Sequence, residues 1–273
     1  MENKLQLAIL DMYDNTPNQG MRAIQSIVKM FDHKVDWQIF DVRAKHEVPD
    51  TSFDIYICSG GPGDPREGDG IWDQRFFQLL DELWAINAKE AAPSKYVFFI
   101  CHSFQMACYH FDLALVTERR SRSFGTFPTH KTKAGEMEPL FGKLPDPFYV
   151  ADFRDYQVVQ PKLDAFEEMG AEVLVLEKIR PHIPLERAIM AIRFSEAFFG
   201  TQFHPEADPE GMLIHFSQED KKTAIIEQHG QEKYDQMMAD LNDPFKIELT
   251  HQQIIPTFLD HAIKALSKIV QHA

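Results

Sequence analysis

Short apolar segments alternate with amphipathic ones along the first half of the chain, and no other feature constrains the fold as strongly. Mainly apolar segments predict strands at 5–10, 55–58 and 97–100, and alternating apolar and polar residues predict another at 35–40. Apolar residues at helical spacing predict helices at 20–31 and 71–88, and Pro17 and Pro93 fall in connections. Strands and helices that alternate over short connections are typical of a doubly wound, mostly parallel sheet. The sequence therefore predicts an α/β fold with its functional residues at the carboxyl ends of the strands.

The second half of the chain adds β structure and then helices. The helical period disappears between about 121 and 160, and this change predicts a small β insertion. Further strands are predicted at 171–177, 188–194 and 197–203. The last two are joined by Ser195-Glu196, a predicted two-residue turn. Helices are predicted at 209–216, 223–241 and 252–270.

These elements predict a single domain over residues 1–273. Its core spans about 5–206 and is completed by the closing helix at 252–270, with Pro256 in the first turn of that helix, where proline is tolerated. Residues from about 207 to 245 form an added C-terminal helical segment. Three roles are open for this segment: it covers the site, it forms the surface of a homo-oligomer, or it is an addition with neither role.

The formal net charge of -14 at pH 7 bears on the partners of the chain. An acidic balance argues against general binding to nucleic acid or to an anionic membrane. The one basic cluster, Arg119-Arg120-Ser121-Arg122, is interpreted as a solvated turn or as a contact for a partner or anion. The apolar runs fall short of the ~18 residues that a membrane-spanning helix needs, so no membrane partner is predicted.

The cysteines and the start of the sequence indicate the compartment. The 3 cysteines show no framework spacing, and Cys58 and Cys108 lie in apolar contexts that predict core positions. The first residues lead into a strand without the basic-then-apolar pattern of a secretory signal. We therefore expect a reducing, cytoplasmic location. Neither a metal site nor a cofactor is predicted.

Cys101 lies where the strand predicted at 97–100 gives way to residues that suit a helix. A side chain at such a junction is held out from the carboxyl end of the sheet. The N-terminal end of the following helix favours the thiolate form, which is the nucleophile. The alternative interpretation is a buried structural cysteine, since free cysteine is among the most buried residue types.

Two other motifs follow predicted strands and supply what a thiolate nucleophile needs. His204 offers a base, and Glu206 lies two residues further on, where it can orient the imidazole. The glycines of Ser59-Gly60-Gly61-Pro62-Gly63 let backbone N–H groups point at a developing oxyanion. Each motif alone also fits an ordinary surface turn. Together, at one edge of a sheet, they favour a Cys/His/Glu acyl-transfer site.

At this point the sequence resembles class I (triad) glutamine amidotransferase domains, in particular the amidotransferase part of GMP synthase. The resemblance rests on Ser59-Gly-Gly-Pro-Gly, on Ile100-Cys101 with Gln105, and on Gln202-Phe-His-Pro-Glu206, in the family's order. It covers about residues 5–206 and implies the flavodoxin-like fold of that family. Its most specific element is the Gln-Phe-His-Pro-Glu block.

The resemblance implies a role for each matching residue. Cys101 attacks the side-chain amide of glutamine, His204 protonates the leaving ammonia and later activates water, and Glu206 orients His204. The implied oxyanion donors are the backbone N–H groups of Gly61 and His102. Gly60 and Gln105 are implied to contact the bound glutamine. Phe153-Arg-Asp-Tyr156 falls where the family has a substrate-contacting loop, without assigned roles.

The strand-to-helix turn around Cys101, called the elbow below, departs from the family pattern Gly-x-Cys-x-Gly-His-Gln. Phe99 and Ser103 replace both glycines, so neighbouring elements are expected to be shifted or to carry smaller side chains. His102 is also unusual. It either faces solvent, the interpretation we prefer, or acts on the thiol.

The sequence therefore predicts an enzyme that hydrolyses glutamine to glutamate and ammonia through a thioester. No phosphate-binding Gly-x-x-x-x-Gly-Lys-Ser/Thr loop occurs in the sequence, so an acceptor reaction needs a synthetase partner on another polypeptide. Two alternatives stay open: a γ-glutamyl or peptide hydrolase on the same scaffold, and a catalytically impaired binding or regulatory module.

Overall fold

The predicted alternation of strands and helices is confirmed along the first half of the chain. The computed structural model describes residues 4–16, 18–89, 94–182 and 184–272, the side chains of 269–272 excepted. Pro17 and Pro93, two prolines of the predicted connections, lie outside the described residues.

Strands and helices occupy most of the described chain. The strands are β1 (Leu5–Asp11), β2 (Val35–Asp41), β3 (Ile55–Cys58), β4 (Tyr96–Ile100), β5 (Ala114–Lys131), β6 (Phe148–Pro161), β7 (Glu172–Glu177), β8 (Ile189–Arg193) and β9 (Phe198–Thr201). The helices are α1 (Gly20–Lys29), α2 (Trp72–Lys89), α3 (His102–His110), α4 (Lys133–Met137), α5 (Leu163–Met169), α6 (Pro209–Phe216), α7 (Glu219–His229), α8 (Gln231–Leu241) and α9 (Ile247–His272). A short 3-10 helix spans Pro139–Phe141.

The strands join in one sheet in the order β2-β1-β3-β4-β9-β8-β7-β5-β6. The five strands from β2 to β9 run parallel, and the rest of the sheet is antiparallel. The region predicted as a β insertion therefore extends the main sheet through two long strands, β5 and β6. Because the parallel strands run the same way, β1, β3, β4 and β9 all end at one edge, which is where open α/β sheets bind ligands.

The central strands form the core and are buried on both faces. Every residue of β3 and β4 is at most 1% exposed, and this burial agrees with their continuous apolar sequences. Helix α1 buries an apolar stripe against the sheet, and Phe258 of α9 packs edge-on against Phe98 of β4 at 5.1 Å between ring centroids. A second apolar cluster lies between the added helices and the β5–β6 strands; it includes Met212, Ile225 and Met237.

Three predictions for the second half of the chain are wrong in detail. The basic cluster Arg119–Arg122 lies within β5 and not in a turn, because pairing with β6 on both sides of the cluster holds the strand extended; its alternative interpretation, a contact for a partner or anion, stays a prediction. The helix predicted at 223–241 is two helices, since Gly230, with φ +88°, ends α7 and begins α8. The predicted two-residue turn is longer: Phe194 to Ala197 connect β8 to β9, and the Phe194 N–H donates to the Phe198 carbonyl.

The closing helix begins at Ile247 instead of 252, which places Pro256 in the helix interior. A proline there removes one backbone hydrogen bond and destabilises a helix. The helix persists because its apolar face is fully buried: Ile254, Ile255 and Leu259 are each 0% exposed. Within the described residues, no helix is long and apolar enough to span a membrane.

Candidate active site

The ends of three adjacent parallel strands bring the predicted site residues together. Strand β4 lies between β3 and β9, with Phe99 paired to Cys58 on one side and to Gly200 on the other. Gly60 and Gly61 therefore follow β3, Cys101 follows β4 and His204 follows β9 at the same edge of the sheet.

Cys101 occupies a strained backbone conformation, with φ +49° and ψ -96°. Residues other than glycine rarely adopt such angles, and strain of this kind tends to persist at functional sites. The Cys101 N–H donates to the Thr201 carbonyl at 2.8 Å, which fixes the turn against β9. The sulfur lies 3.8 Å from Nε2 of Gln202 and 3.9 Å from the carbonyl oxygen of Phe153. The Gln202 amide is thus placed to donate to a thiolate.

His204 and Glu206 form the expected pair. Nδ1 of His204 lies 2.7 Å from a carboxylate oxygen of Glu206, which is 1% exposed. The backbone N–H of His204 donates to the Ala151 carbonyl at 2.9 Å. Nδ1 of His251, in α9, lies 3.1 Å from the backbone carbonyl of Glu206. Burial alone lowers the pKa of His204, but the Glu206 charge and the Cys101 side chain outweigh it and raise that pKa well above its usual value. The Glu206 carboxylate therefore favours the protonated form of the imidazole.

The missing side chain of Gly60 provides the space in which these groups meet. A Cβ atom there would lie 2.8 Å from Cε1 of His204, 3.3 Å from the hydroxyl of Tyr13 and 3.6 Å from Cβ of Cys101. The three side chains thus converge on one point beside the glycine turn.

The backbone groups predicted as oxyanion donors lie beside this point. A Cβ atom on Gly61 would overlap the Met12 carbonyl, so only glycine fits there. His102 is the first residue of α3, and N–H groups in the first turn of a helix have no acceptor within it. The Gly61 turn lines the same cavity as Cys101.

The His102 side chain does not face solvent, contrary to our preferred interpretation. It is 1% exposed, and its Nε2 atom has no hydrogen-bond partner among the described residues. Burial, reinforced by the charge of Arg43, lowers the pKa of His102 to about 3. The imidazole is therefore neutral at pH 7.

A smaller neighbour accommodates the departures around Cys101, as expected, and hydrogen bonds that were not predicted contribute as well. Ser103 is buried; its hydroxyl accepts the Ile100 N–H at 2.9 Å and donates to the Cys58 carbonyl at 2.8 Å. The bulk of Phe99 and Phe104 is offset by Gly200, where a Cβ atom would lie 2.7 Å from Cδ2 of Phe104.

Gln105 lies beneath the site. It is 3% exposed and donates to Oε1 of Gln202 at 3.1 Å, and it is not among the described residues that line the cavity. Its contact with substrate stays a prediction. The structure links it to the thiol through Gln202, a residue of the Gln-Phe-His-Pro-Glu block to which sequence reasoning assigned no role.

A cavity of about 550 Å³ opens above the thiol. Helix α6 of the added segment forms one wall through Met212, His215 and Phe216, so this part of the segment covers the site.

Tyr13 lines the cavity as well; burial and the charge of Glu206 raise its pKa well above the usual value. Sequence reasoning missed Tyr13, although it follows β1 at the same sheet edge. Among the described residues, no group of three His, Cys, Asp or Glu side chains is arranged to hold a metal ion.

The chain is similar to known proteins in sequence and in fold. Residues 9–220 match the family described as glutamine amidotransferase class-I. A glutamine amidotransferase from Thermotoga maritima has a TM-score of 0.69 at 14% identity, covering 96% of this chain and 99% of its own. A putative GMP synthase subunit from Thermoplasma acidophilum has a TM-score of 0.54 at 15% identity, covering 76% and 87%.

A third structure, the glutaminase domain of Trypanosoma brucei CTPS with bound acivicin, has a TM-score of 0.53 at 13% identity, covering 74% and 86%. These structures share the fold. Among curated proteins, none matches the sequence significantly. Since the family match spans more than half of the 273 residues, the chain belongs to the class I glutamine amidotransferase family.

Proposed function

We propose that this protein hydrolyses the side-chain amide of glutamine to glutamate and ammonia through Cys101, His204 and Glu206. One observation carries the proposal: the Cys101 and His204 side chains meet beside Gly60 at the wall of a cavity, with Glu206 bound to the far nitrogen of His204. Nucleophile, base and orienting acid are the parts that covalent acyl transfer requires.

The reaction runs in two halves. The Cys101 thiolate adds to the amide carbon, and the negative charge that develops on oxygen is stabilised by the backbone N–H groups of Gly61 and His102. Protonated His204 gives its proton to the departing nitrogen, and the C–N bond breaks. Ammonia departs, and a γ-glutamyl thioester remains on Cys101. Neutral His204 then takes a proton from water, which attacks the thioester and releases glutamate. Glu206 stabilises the imidazolium in both halves, and the sequence of steps requires no cofactor.

The destination of the ammonia lies with another polypeptide in this proposal. One of the solved structures that share this fold is described as a putative GMP synthase subunit. We therefore propose a synthetase partner that activates the acceptor. The single-domain organisation and the homo-oligomer stay predictions.

Labelling with acivicin tests the proposed nucleophile. The intact protein is incubated with acivicin, and the modified peptide is mapped by mass spectrometry. We expect one adduct on Cys101 and loss of glutamine-dependent ammonia release, and we expect neither adduct nor activity in Cys101→Ala. Cys108→Ala is the matched control, because Cys108 is fully buried in α3 away from the cavity. An unlabelled Cys101 in active protein contradicts the proposal.

A γ-glutamyl hydrolase is the second candidate, and the cavity favours it. Ligand sites of about 300 to 1,000 Å³ enclose molecules the size of a drug, and this cavity has an apolar wall of Phe153, Met212 and Phe216 beside the thiol. Turnover of γ-glutamyl peptides without turnover of free glutamine would select this function over the first.

A further inference from the structure

Ser59 is a fully buried serine between β3 and the glycine turn, and its hydroxyl makes two hydrogen bonds. The residue is 0% exposed. The hydroxyl accepts the N–H of Met12 at 2.9 Å and donates to the carbonyl oxygen of Gly60 at 2.8 Å. One side chain thus connects the residue that follows β1 with the first glycine of the turn.

The hydrogen bond to Gly60 fixes the direction of the neighbouring donor. The carbonyl of Gly60 and the N–H of Gly61 belong to the same peptide group. A peptide group is planar, and in its trans form the C=O and N–H bonds point in opposite directions. The one cis peptide bond among the described residues is Asp146-Pro147, so the bond between the two glycines is trans. Because the Gly60 carbonyl points at the buried hydroxyl of Ser59, the Gly61 N–H points away from it.

The Gly61 N–H is available to a ligand. It donates to no backbone acceptor among the described residues. Gly61 lines the cavity that contains Cys101, whereas Ser59 does not line it. The carbonyl of this peptide group is therefore on the buried side, and its N–H is on the side of the cavity.

A second side chain holds the other end of the glycine turn. The guanidinium of Arg43 donates through Nη1 to the Pro62 carbonyl at 2.6 Å and to the Met12 carbonyl at 3.3 Å. Gly61 packs directly against the same Met12 carbonyl, where a Cβ atom would overlap it. The turn is thus held at one carbonyl on either side of Gly61.

We propose that Ser59, assisted by Arg43, is a positioning residue whose hydroxyl keeps the Gly61 N–H directed at the substrate oxygen. The inference rests on the proposed amide hydrolysis. Glycines flank this peptide group, so it can rotate at little steric cost once the hydroxyl is removed. A rotated peptide group would present the Gly60 carbonyl to the cavity in place of a donor.

The role of Ser59 should appear in kcat and not in KM. Negative charge develops on the amide oxygen only after the thiolate has added, so the Gly61 N–H stabilises the transition state more than the bound substrate. Loss of an interaction made only in the transition state lowers kcat and kcat/KM equally and leaves KM unchanged.

The experiment compares Ser59→Ala with Thr129→Val and Arg43→Met. Thr129 is 1% exposed in β5, and its hydroxyl donates to the Leu176 carbonyl at 2.8 Å. Thr129→Val is therefore the matched control, since it removes a buried hydroxyl from a residue that does not line the cavity. Arg43→Met releases the carbonyl at the other end of the turn and leaves Ser59 in place.

Two rates and one stability are measured on each intact variant. Ammonia release from glutamine gives kcat and KM. Alkylation of Cys101 by iodoacetamide is followed by mass spectrometry; the sulfur–carbon bond forms as iodide leaves, and no negative charge develops on an oxygen. Alkylation therefore reports the folded site and its thiolate separately from the oxyanion donors. Urea denaturation compares the stabilities.

We expect Ser59→Ala to lower kcat by about 10- to 100-fold. Removing one oxyanion donor outright costs ~10²- to 10³-fold in kcat, and here the Gly61 N–H is misdirected for part of the time while the His102 N–H is unaffected. KM for glutamine and the rate of Cys101 alkylation should match the wild type.

The other two variants should separate this role from general damage. Thr129→Val should be destabilised to a similar extent and should keep the kcat of the wild type. Arg43→Met should lower kcat by less than Ser59→Ala does, because the Pro62 carbonyl lies two peptide groups beyond the Gly61 N–H. Its KM and its rate of Cys101 alkylation should be unchanged.

A wild-type kcat in folded Ser59→Ala overturns the role of Ser59 and leaves the hydrolase intact. The same holds if Cys101 alkylation slows in proportion to kcat, or if Thr129→Val loses as much kcat as Ser59→Ala. If Ser59→Ala does not fold, Arg43→Met decides: a reduced kcat at unchanged KM and alkylation supports the proposal, and a wild-type kcat overturns it. Failure of the wild type both to release ammonia and to form the acivicin adduct overturns the proposed function, and the role of Ser59 with it.

Discussion

Phe99 and Gly200 are paired across neighbouring parallel strands, and a Cβ atom on Gly200 would lie 3.2 Å from Cβ of Phe99. The same atom would lie 2.7 Å from Cδ2 of Phe104 and 3.2 Å from Cε2 of Phe194. A glycine in β9 thus makes room for the bulky residues on either side of Cys101. The unusual elbow and the small residue opposite it form one packing solution.

Substitution of Gly200 by alanine should therefore destabilise the protein. Overpacking a filled core costs about 1 to 3 kcal/mol of unfolding free energy, which urea denaturation measures. The cost should shrink when Phe104→Leu is combined with Gly200→Ala, because the closest contact is then removed. Gly142→Ala, at an exposed site, is the control and should cost less. An equal cost in both backgrounds would show that Phe104 does not limit the space.

Gly60→Ala should reduce turnover more than stability. The new methyl group would lie 2.8 Å from Cε1 of His204 and would push the imidazole away from Cys101. A displacement of about 1 Å in a catalytic group costs on the order of 10²-fold in rate. Steady-state assays should show kcat reduced by roughly this factor. Wild-type kcat in this variant would mean that His204 tolerates displacement and is not the acid–base group.

The raised pKa of His204 should set the alkaline limit of the proposed activity. In the proposed mechanism protonated His204 is the acid for the departing nitrogen, so kcat/KM should fall as pH rises through that raised pKa. The Glu206 charge raises this pKa, and Glu206→Gln should move the alkaline limb to lower pH and reduce kcat. Glu210→Gln removes the same charge at an exposed position and should leave the limb in place. If the alkaline limb of the Glu206→Gln profile lies at the same pH as in the wild type, that limb reports the titration of a group other than His204.

Gln105→Met distinguishes two roles for Gln105. Its amide donates to Gln202, whose own amide lies 3.8 Å from the Cys101 sulfur. If Gln105 acts through Gln202, kcat should fall by up to about tenfold, the value of one hydrogen bond, with KM unchanged. If it contacts glutamine directly, KM should rise instead. We expect the first result.

His102 should make the protein less stable in acid. Its pKa is lowered to about 3, so the unfolded chain binds a proton that the folded protein excludes. Unfolding free energy should therefore decrease as pH falls from about 6.5 towards 3, by at most ~1.4 kcal/mol per pH unit from this residue. His102→Leu should flatten that decrease relative to wild type, whereas His33→Gln, at an exposed site, should not. Parallel pH profiles for His102→Leu and wild type would contradict the prediction.

The sequence predicted the meeting of Gly60, Cys101 and His204 because parallel strands end at one edge whatever their side chains are. Apolar runs identified those strands closely, and β3 at Ile55–Cys58 matches its predicted bounds. The family resemblance added the order of the motifs and the roles they imply. Local pattern and topology were sufficient for this part of the site.

The rest depends on contacts between distant segments. The bulge at Arg119–Arg122 is defined by its pairing with β6, which no local period reveals. The buried state of His102 depends on its neighbours in space, and the charge of Arg43, which acts on it, comes from a distant part of the chain. Likewise, Met212 lines the cavity because α6 packs over the edge of the sheet. The residues after the last family motif contain no pattern that predicts this packing.

The contact between His251 and the Glu206 carbonyl links the candidate site to the last helix of the fold. Thr250, beside it, donates to the Tyr149 carbonyl at 2.7 Å, so the second turn of α9 is attached at two points near the site. A molecule in which α9 has detached would retain its sheet and its Cys101 turn, but the carboxylate that holds His204 would have lost its support. Enzymatic activity should therefore disappear together with the slow amide-hydrogen exchange of α9, before the sheet itself unfolds.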